Sequence, residues 1–220
     1  MPHHDGTPRS TPNRPSWFDK WKCLDNFVKV FEHQNISLIA DGVTDEVWEH
    51  LNSNYSQLDL HRTEYKSNAG SFLYSLELAL KLPSWANVYF VEDDYVHHEG
   101  ADLIIEQGLE ISPYLSLYDH PDKYDAPADS KIFMTDDVHW RTTGSTTMTF
   151  ASKVKHLKED RDLFYQWCGG DDKWTHDFQL FTAISQSRGL ITPIPGYATH
   201  CDSWVIARMV DWEQVLATAS

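Results

Sequence analysis

The chain has 220 residues, of which 41% are hydrophobic, and its formal net charge at pH 7 is −15. This length and composition suffice for one domain with a substantial apolar core. The negative charge disfavours binding to nucleic acid or to an anionic membrane surface, because both attract proteins rich in Lys and Arg. A nucleotide held through a divalent cation stays compatible, since the cation lies between acidic side chains and phosphates.

The cysteine pattern and the N-terminal residues indicate the cellular compartment in which the protein is expected. Three cysteines (Cys23, Cys168, Cys201) form no CxxC pattern, which favours free thiols in a reducing compartment, with one disulfide as the alternative. The chain contains no run of about 18 apolar residues, and its first residues lack the apolar region of a secretory signal. We therefore expect a soluble, cytoplasmic protein without membrane insertion.

The first part of the chain predicts helices alternating with strands. Residues 1–16 are rich in Pro, His, Ser and Thr, which predicts a flexible tail or, alternatively, a loop whose arginines reach a phosphate. An amphipathic helix is predicted over 17–31, and a short apolar strand over 36–40. That strand ends at Asp41–Gly42, a turn signal, and Thr44 then begins a helix. Asp41 either contacts a ribose or base, or only caps the turn.

Three acids follow the apolar strand predicted over residues 87–91. Glu92, Asp93 and Asp94 would repel one another unless a positive charge lies among them. Mg²⁺ and Mn²⁺ are held by one or two carboxylates together with the phosphates of a substrate. Because ligands of open α/β sheets bind beyond the carboxyl ends of the strands, we expect a metal-assisted phosphate site here. A solvated acidic turn is the alternative.

The remaining elements continue the alternation. Further helices are predicted over 72–82, 99–111, 153–166 and 175–187, and further strands over 58–65, 114–118, 131–134, 141–152 and 190–194. The small-residue loop 67–71 offers free backbone N–H groups and a positive helix end to a phosphate. We expect one α/β domain over residues 1–220, with a central, mostly parallel mixed sheet flanked by helices.

This order of motifs resembles the nucleotide-sugar-dependent glycosyltransferases of the GT-A fold. The motifs are the strand–Asp41 turn, the Asn-Ala-Gly-Ser loop, the Glu-Asp-Asp strand tip, the late Thr-His-Asp helix start and a C-terminal His. The triplet resembles a variant of the DxD motif of that family. The segments YDHPDKY and PGYATH are similar to those of small glycosyltransferase domains of bacteria and of large algal DNA viruses. A viral source would imply the host cytoplasm.

The resemblance implies roles for individual residues. Asp94 would bind the metal directly, Glu92 would contact the metal through water or hold the ribose, and His200 would complete the metal shell. Asp93 would lie close to the sugar and Asp177 would be the general base of an inverting enzyme. The nucleotide would be bound by residues along the first half of the chain: Thr7, Arg14, Asp41, Asn68 and Gly70. Residues 1–16 would then be a short first strand and nucleotide loop instead of a tail.

The aromatic and loop residues supply candidates for the acceptor site. Three residues would either form a wall of the acceptor site or pack in the core: Trp140, Arg141 and Trp174. For Trp174 the acceptor role is preferred, because it lies just before the candidate base Asp177. The loop containing His120 is compatible with acceptor binding. The paired histidines His97–His98 are predicted as surface residues, because adjacent side chains on a strand point apart.

The resemblance, together with these residues, implies a hexosyltransferase that requires Mn²⁺ or Mg²⁺ and moves a hexose from a nucleotide sugar, UDP-linked, to a saccharide acceptor, such as a glycan on a glycoprotein. The chain could also be one part of a longer polypeptide with further domains. One alternative is a metal-dependent phosphoesterase or nucleotidyltransferase that uses the same acids. The other is a non-catalytic sugar-binding module. Inverting and retaining chemistry stay open, and so do the donor sugar, the acceptor and the linkage.

Overall fold

The computed structural model describes residues 13–125, 129–171 and 173–218. Its helices are α1 (Lys20–Val30), α2 (Asp45–Asn54), α3 (Asn68–Ala79), α4 (Ala101–Ile111), α5 (Asp122–Asp125), α6 (Val154–Glu159), α7 (Arg161–Cys168), α8 (Asp177–Ser187) and α9 (Trp212–Thr218). Its strands are β1 (Ser37–Asp41), β2 (Asp59–Thr63), β3 (Asn87–Phe90), β4 (Tyr95–His97), β5 (Tyr114–Leu115), β6 (Ile132–Met134), β7 (His139–Thr142), β8 (Phe150–Lys153), β9 (Leu190–Ile194) and β10 (Ala198–His200).

Side-chain caps explain where the first three helices begin. Asp19 accepts hydrogen bonds from the backbone N–H groups of Trp21 and Lys22 at the start of α1. Thr44 accepts from the N–H of Val47 at the start of α2, and Ser67 accepts from the N–H of Gly70 at the start of α3. These oxygens satisfy backbone donors that have no partner within the helix. The helix expected after Thr44 is confirmed.

The main sheet has six strands in the order β3-β8-β5-β9-β7-β6. Only the pair β5–β9 is parallel, and the other four pairs are antiparallel. The fold is therefore mixed α/β with helices flanking a mixed sheet, and the prediction of a mostly parallel sheet is wrong. One reason is local: the short connection between β6 and β7 can only return the chain antiparallel, whereas parallel neighbours need a long crossover.

Two smaller sheets accompany the main one. Strands β1 and β2 pair in parallel through the crossover helix α2, with Ser37 opposite Asp59. Strands β4 and β10 pair antiparallel, which sets His200 opposite Tyr95, directly after the acidic triplet. This second pairing carries the C-terminal histidine to the acidic strand tip.

The apolar residues form three separate clusters. One contains residues of α1, α4 and α9, and a second contains residues of α3, α6, α7 and α8 together with β3 and β8. The third is small and is centred on Ala40, Leu51 and Tyr55, around β1, β2 and α2. No helix among the described residues combines the length and the apolar character that a membrane crossing requires.

Candidate active site

The centre of the candidate site is the buried carboxylate of Asp94. Its Oδ2 accepts hydrogen bonds from Arg14 Nη2 at 2.7 Å and from His200 Nε2 at 2.9 Å. Arg14 and His200 lie 80 and 106 residues away from Asp94 in the chain. The structure thus brings together a predicted metal ligand, its predicted histidine partner and a predicted nucleotide-binding arginine.

Backbone hydrogen bonds hold this cluster in place. Cys201 donates its N–H to the carbonyl oxygen of Asp94 at 2.8 Å, and its own carbonyl accepts from Arg14 Nη1 at 2.8 Å. Ser203 donates its N–H to the carbonyl of Asn13 at 2.7 Å. The segment 13–14, the strand tip and the loop after β10 are therefore joined at one place.

One carboxylate oxygen of Asp94 has no hydrogen-bond partner in the described part of the chain. Burial by itself would raise the pKa of Asp94, but the hydrogen bonds and charges of His200 and Arg14 hold that pKa below its usual range. The carboxylate is therefore ionised, while its buried Oδ1 makes no hydrogen bond to any residue that the structure describes. An unpaired anionic oxygen in a buried position favours an added cation or donor.

Glu92 lies in a strongly negative environment. Burial, together with the charges of Asp94, Asp177 and Asp93, raises the pKa of Glu92 to about 8, although Arg14 acts in the opposite direction. Glu92 therefore holds its proton more tightly than an ordinary glutamate does, and an added positive charge would act against this. Asp93 differs, because it is exposed and forms an ion pair with Lys20 at 2.6 Å. The three neighbouring acids thus have three different environments.

One cleft of about 1960 Å³ connects these acids to other predicted residues. The predicted site residues that line it are Arg14, Asp41, Asn68, Glu92, Asp93, Asp94, Trp174, Asp177 and His200. They come from six segments: the residues ahead of α1, β1, the start of α3, the tip of β3, the residues before and at the start of α8, and β10. The cleft therefore unites most of the residues that the sequence singles out.

Asp41 organises the loop that leads to α3. Its carboxylate accepts hydrogen bonds from Thr63 Oγ1 at 2.9 Å and from the N–H groups of Tyr65 at 2.7 Å and Ser67 at 3.0 Å. Burial would raise the pKa of Asp41, but these bonds lower it. Asp41 thus fixes the loop ahead of Asn68. This stabilising role in the loop does not depend on whether Asp41 also contacts a nucleotide.

Asp177 is the first residue of α8. Burial raises the pKa of Asp177. The hydrogen bond that Asp177 Oδ1 accepts from the N–H of Phe178 at 2.7 Å and the charges of His120 and His176 act in the opposite direction. An aspartate with a raised pKa at a cleft is suited to proton transfer. The influence of His120 places that histidine in the electrostatic neighbourhood of Asp177.

The predicted acceptor residues separate into two groups. Trp174 is 46% exposed and lines the cleft, so a sugar ring can reach it. Trp140 is 0% exposed, and its indole N–H donates to Thr135 Oγ1 at 3.0 Å in the core. Because a fully buried ring offers no face to an acceptor, the structure favours the core-packing alternative for Trp140. Arg141 is buried as well and forms an ion pair with Asp119.

His120, Gly70 and Thr7 complete the predicted set. His120 is half-buried and pairs through Nδ1 with Asp122 Oδ1 at 2.8 Å. Gly70 lies inside α3, where an added Cβ would come within 2.5 Å of Tyr65 Cβ, so this glycine permits a close approach of helix and loop. Thr7 lies outside the described residues.

Some residues of the site escaped the sequence analysis. Lys20 pairs with Asp93, and Tyr95 donates to or accepts from Thr147 Oγ1 at 2.7 Å beside the acidic tip. His97 was expected on the surface, but it is fully buried and its Nε2 lies 2.8 Å from the hydroxyl of Tyr89. His97 is not exposed, because α1 covers the face of β4 on which it lies. From α1, the side-chain amide of Asn26 donates to the carbonyl of His97 and accepts from its N–H.

The donor set suits a divalent cation that is shared with a ligand. No three His, Cys, Asp or Glu side chains within the described ranges converge as a complete metal site. Glu92, Asp94 and His200 therefore do not enclose an ion by themselves. Mg²⁺ and Mn²⁺, however, commonly use one or two carboxylates and take their other ligands from phosphates and water. The unpaired Asp94 Oδ1 and the neighbouring Glu92 fit that arrangement.

Comparison with known proteins adds no relative: no protein-family model and no curated protein matches the chain.

Proposed function

We propose that this chain is a metal-dependent glycosyltransferase of the GT-A type that moves a hexose from a nucleotide sugar, UDP-linked, to a saccharide acceptor. The observation that carries the proposal is the shared cleft, in which the acidic tip, the start of α3 and Asp177 meet. A donor, a cation and an acceptor must be adjacent for glycosyl transfer. The cleft offers groups suited to each of them.

Asp94 and Glu92 are the residues that would hold the cation. When bound, Mn²⁺ or Mg²⁺ supplies Lewis-acid neutralisation of the departing diphosphate. Asp94 contributes its ionised carboxylate with the free Oδ1, and His200 keeps the opposite oxygen oriented through its 2.9 Å hydrogen bond. A positive charge near Glu92 lowers its pKa and thereby favours the ionised form as a second ligand.

Arg14 and the start of α3 provide further contacts for a diphosphate. The guanidinium of Arg14 is fixed at the acidic tip by Asp94 and by the carbonyl of Cys201. Its planar group of donors matches phosphate oxygens. The cleft also includes Ser67, Asn68 and Ser71 at the N-terminal end of the twelve-residue helix α3, where the helix dipole favours negative charge.

Asp177 is the candidate for the proton acceptor. If the reaction inverts the anomeric configuration, Asp177 takes the proton of the attacking hydroxyl, and its raised pKa brings it closer to the operating pH. If the configuration is retained, Asp177 positions the acceptor. Trp174 offers an aromatic face near it for a sugar ring.

The test combines nucleotide binding with product analysis. We expect UDP or UDP-sugars to raise the melting temperature only with Mn²⁺ or Mg²⁺, and a saccharide acceptor to release UDP. Asp94→Ala should abolish the metal-dependent shift. Asp177→Asn should keep donor binding and lose turnover, whereas Asp162→Asn, an exposed acid of α7, serves as the matched control and should change neither.

The competing functions predict other results. Pyrophosphate as the product would indicate a nucleotidyltransferase, and sugar binding without turnover would indicate a sugar-binding module. If no nucleotide changes the melting temperature with any divalent cation, the glycosyltransferase proposal is wrong.

A further inference from the structure

Strand β6 lies at one end of the main sheet and exposes apolar side chains. Of the strands that the structure describes, only β7 is hydrogen-bonded to it. Ile132, Phe133 and Met134 are 58%, 41% and 71% exposed, respectively. Edge strands of soluble proteins usually carry a charge, a proline or a bulge that prevents further pairing, but Ile132–Met134 contains neither a charge nor a proline. This edge therefore offers pairing positions to another strand.

The hydrogen bonds to β7 show which backbone groups of β6 face outward. The carbonyl of Lys131 accepts from the N–H of Thr142 at 3.0 Å, so the backbone of Lys131 faces β7. Because successive residues of an antiparallel strand alternate in direction, the backbone groups of Phe133 also face β7. Those of Ile132 and Met134 then face away from the sheet. Their N–H and C=O groups form the outer edge of β6.

Two copies of β6 match each other in an antiparallel register. When Ile132 of one copy lies opposite Met134 of the second copy, the outward N–H and C=O groups of both residues meet. The two-fold axis then passes through Phe133, and the same pair recurs on its other side, so that about four backbone hydrogen bonds form. Phe133 lies opposite Phe133 of the second copy, in a pair without backbone hydrogen bonds, where side chains approach most closely.

The side chain of Phe133 lies on the side of the sheet that α4 covers. Trp140 is the residue of β7 opposite Phe133. A Cβ added to Gly108 of α4 would come within 2.7 Å of the Trp140 indole, so this ring packs against α4. Directly opposite side chains share one face of a sheet, and Phe133 therefore points to the α4 side.

Helix α4 extends the exposed apolar surface on that side. Leu103 and Ile111 are 67% and 46% exposed and lie about two turns apart on α4. Between them, Gln107 donates to Asp137 in the turn between β6 and β7 at 2.7 Å. This side of α4 therefore borders the β6–β7 hairpin. Because the two-fold axis is perpendicular to the joined sheet, the α4 helices of both copies flank the interface on the same side.

The charges next to β6 favour a second copy as the partner. Lys131 precedes the strand, whereas Asp136 and Asp137 follow it in the turn to β7. Antiparallel pairing brings the positive end of one copy beside the negative end of the other, and the symmetry repeats this contact. Asp129 lies farther out, beyond the paired residues. Backbone direction, apolar side chains and flanking charges thus all fit the same strand of another copy.

We propose that this chain forms a two-fold symmetric dimer through β6. Antiparallel pairing of the two β6 strands joins the six-stranded sheets of both copies into one continuous sheet, with Phe133 on the symmetry axis. The residues of β6 do not line the cleft around Asp94. The dimer therefore goes beyond the proposed function and does not depend on it.

Sedimentation equilibrium of the full chain tests the dimer. Between about 1 µM and about 1 mM protein, we expect the mass to rise from one chain to two. Phe133→Lys sets like charges opposite each other on the axis, and Met134→Pro removes an outward N–H but no hydrogen bond to β7. Each should weaken association by at least about tenfold. Trp85→Lys, at a residue that is 79% exposed outside β6, is the matched control and should not change it.

Cysteine substitutions test the register. Phe133→Cys sets two cysteines opposite each other with Cα atoms about 4.5 Å apart, within reach of a disulfide. Ile132→Cys sets them two residues apart along the strands, about 8 Å between Cα atoms, which is too far. With diamide as the oxidant that accepts the two thiol hydrogens, Phe133→Cys should form covalent dimers at least about tenfold faster. The natural cysteines Cys23, Cys168 and Cys201 are buried.

Three results would overturn the proposal. The first is a mass of one chain at every concentration, and the second is a dimer that Phe133→Lys and Met134→Pro leave unchanged. The third is equal cross-linking of the two cysteine variants. If a variant does not fold, amide hydrogen exchange of the unsubstituted chain decides: protection of the Ile132 and Met134 N–H groups that rises with concentration supports the dimer, and exchange that is independent of concentration refutes it.

Discussion

The buried histidine of β4 leads to a measurable dependence of stability on pH. His97 is 0% exposed, its ring packs against Phe27 and Phe31, and its Nε2 meets the hydroxyl of Tyr89 at 2.8 Å. Its Nδ1 has no hydrogen-bond partner among the residues of ranges 13–125, 129–171 and 173–218. Burial disfavours the charged imidazolium and lowers the pKa of His97 to about 3.

The sign and the size follow from this lowered pKa. The unfolded chain takes up a proton near pH 6.5, whereas folded His97 does so only near pH 3, so the folded state loses stability as the pH falls between these values. At 1.36 kcal/mol per pKa unit, lowering the pH from 7 to 5 removes about 2 kcal/mol through this residue. For a domain of this size, that equals a fall of roughly 4–8 °C in melting temperature.

Urea unfolding at pH 7 and pH 5 tests this expectation. The variant His97→Gln keeps a hydrogen-bonding side chain but cannot become charged, and His98→Gln is the matched control at the exposed neighbour. Between pH 7 and pH 5 the unsubstituted chain and His98→Gln should each lose about 2 kcal/mol more than His97→Gln. If all three proteins lose the same amount, His97 is not buried in its neutral form and the reasoning fails.

Four further substitutions test single contacts, three in the interior and one at an exposed ion pair. Asp119→Ala leaves the buried Arg141 without its charge partner and should lower the free energy of unfolding, measured by thermal unfolding, by about 3–5 kcal/mol. Asp125→Ala breaks an exposed ion pair and should lower it by less than about 1 kcal/mol. Equal losses in the two variants would contradict this account. Asn26→Ala removes both hydrogen bonds from the Asn26 side chain to the backbone of His97 in β4. It should lower the free energy of unfolding by about 2–3 kcal/mol and speed amide hydrogen exchange in β4. Unchanged exchange would show that another group replaces these two hydrogen bonds. Gly108→Ala places a Cβ within 2.5 Å of a methyl group of Leu115 and 2.7 Å of an indole carbon of Trp140. It should lower the free energy of unfolding in urea by about 1–3 kcal/mol. An unchanged free energy would mean that the core side chains move to make room for the added methyl group.

Local patterns were enough to locate many elements. The predicted strand over 190–194 coincides with β9, and the predicted strand over 36–40 differs from β1 by one residue at each end. Thr44 caps α2 as expected. These features depend on side-chain periodicity and on hydrogen bonds between residues a few positions apart, and a single sequence contains both.

The acidic triplet was visible in the sequence, but the inequality of its members was not. Asp93 is exposed beside Lys20, whereas Asp94 is buried between Arg14 and His200. The partners of Asp94 come from the two ends of the chain, and no local rule connects them. Which carboxylate is ionised and which is protonated depends on these distant charges and on burial.

The amino-acid order alone indicates where many helices and strands lie and where the acidic strand tip is, because each of these features is encoded over a few neighbouring positions. The strand directions, the burial of His97 and Trp140 and the assembly of one cleft from six distant segments come from long-range packing. Period-two alternation cannot show which face of a strand a helix will cover. Here α1 covers the face of β4 that carries His97, and the chain between residues 134 and 139 is too short for anything but an antiparallel return.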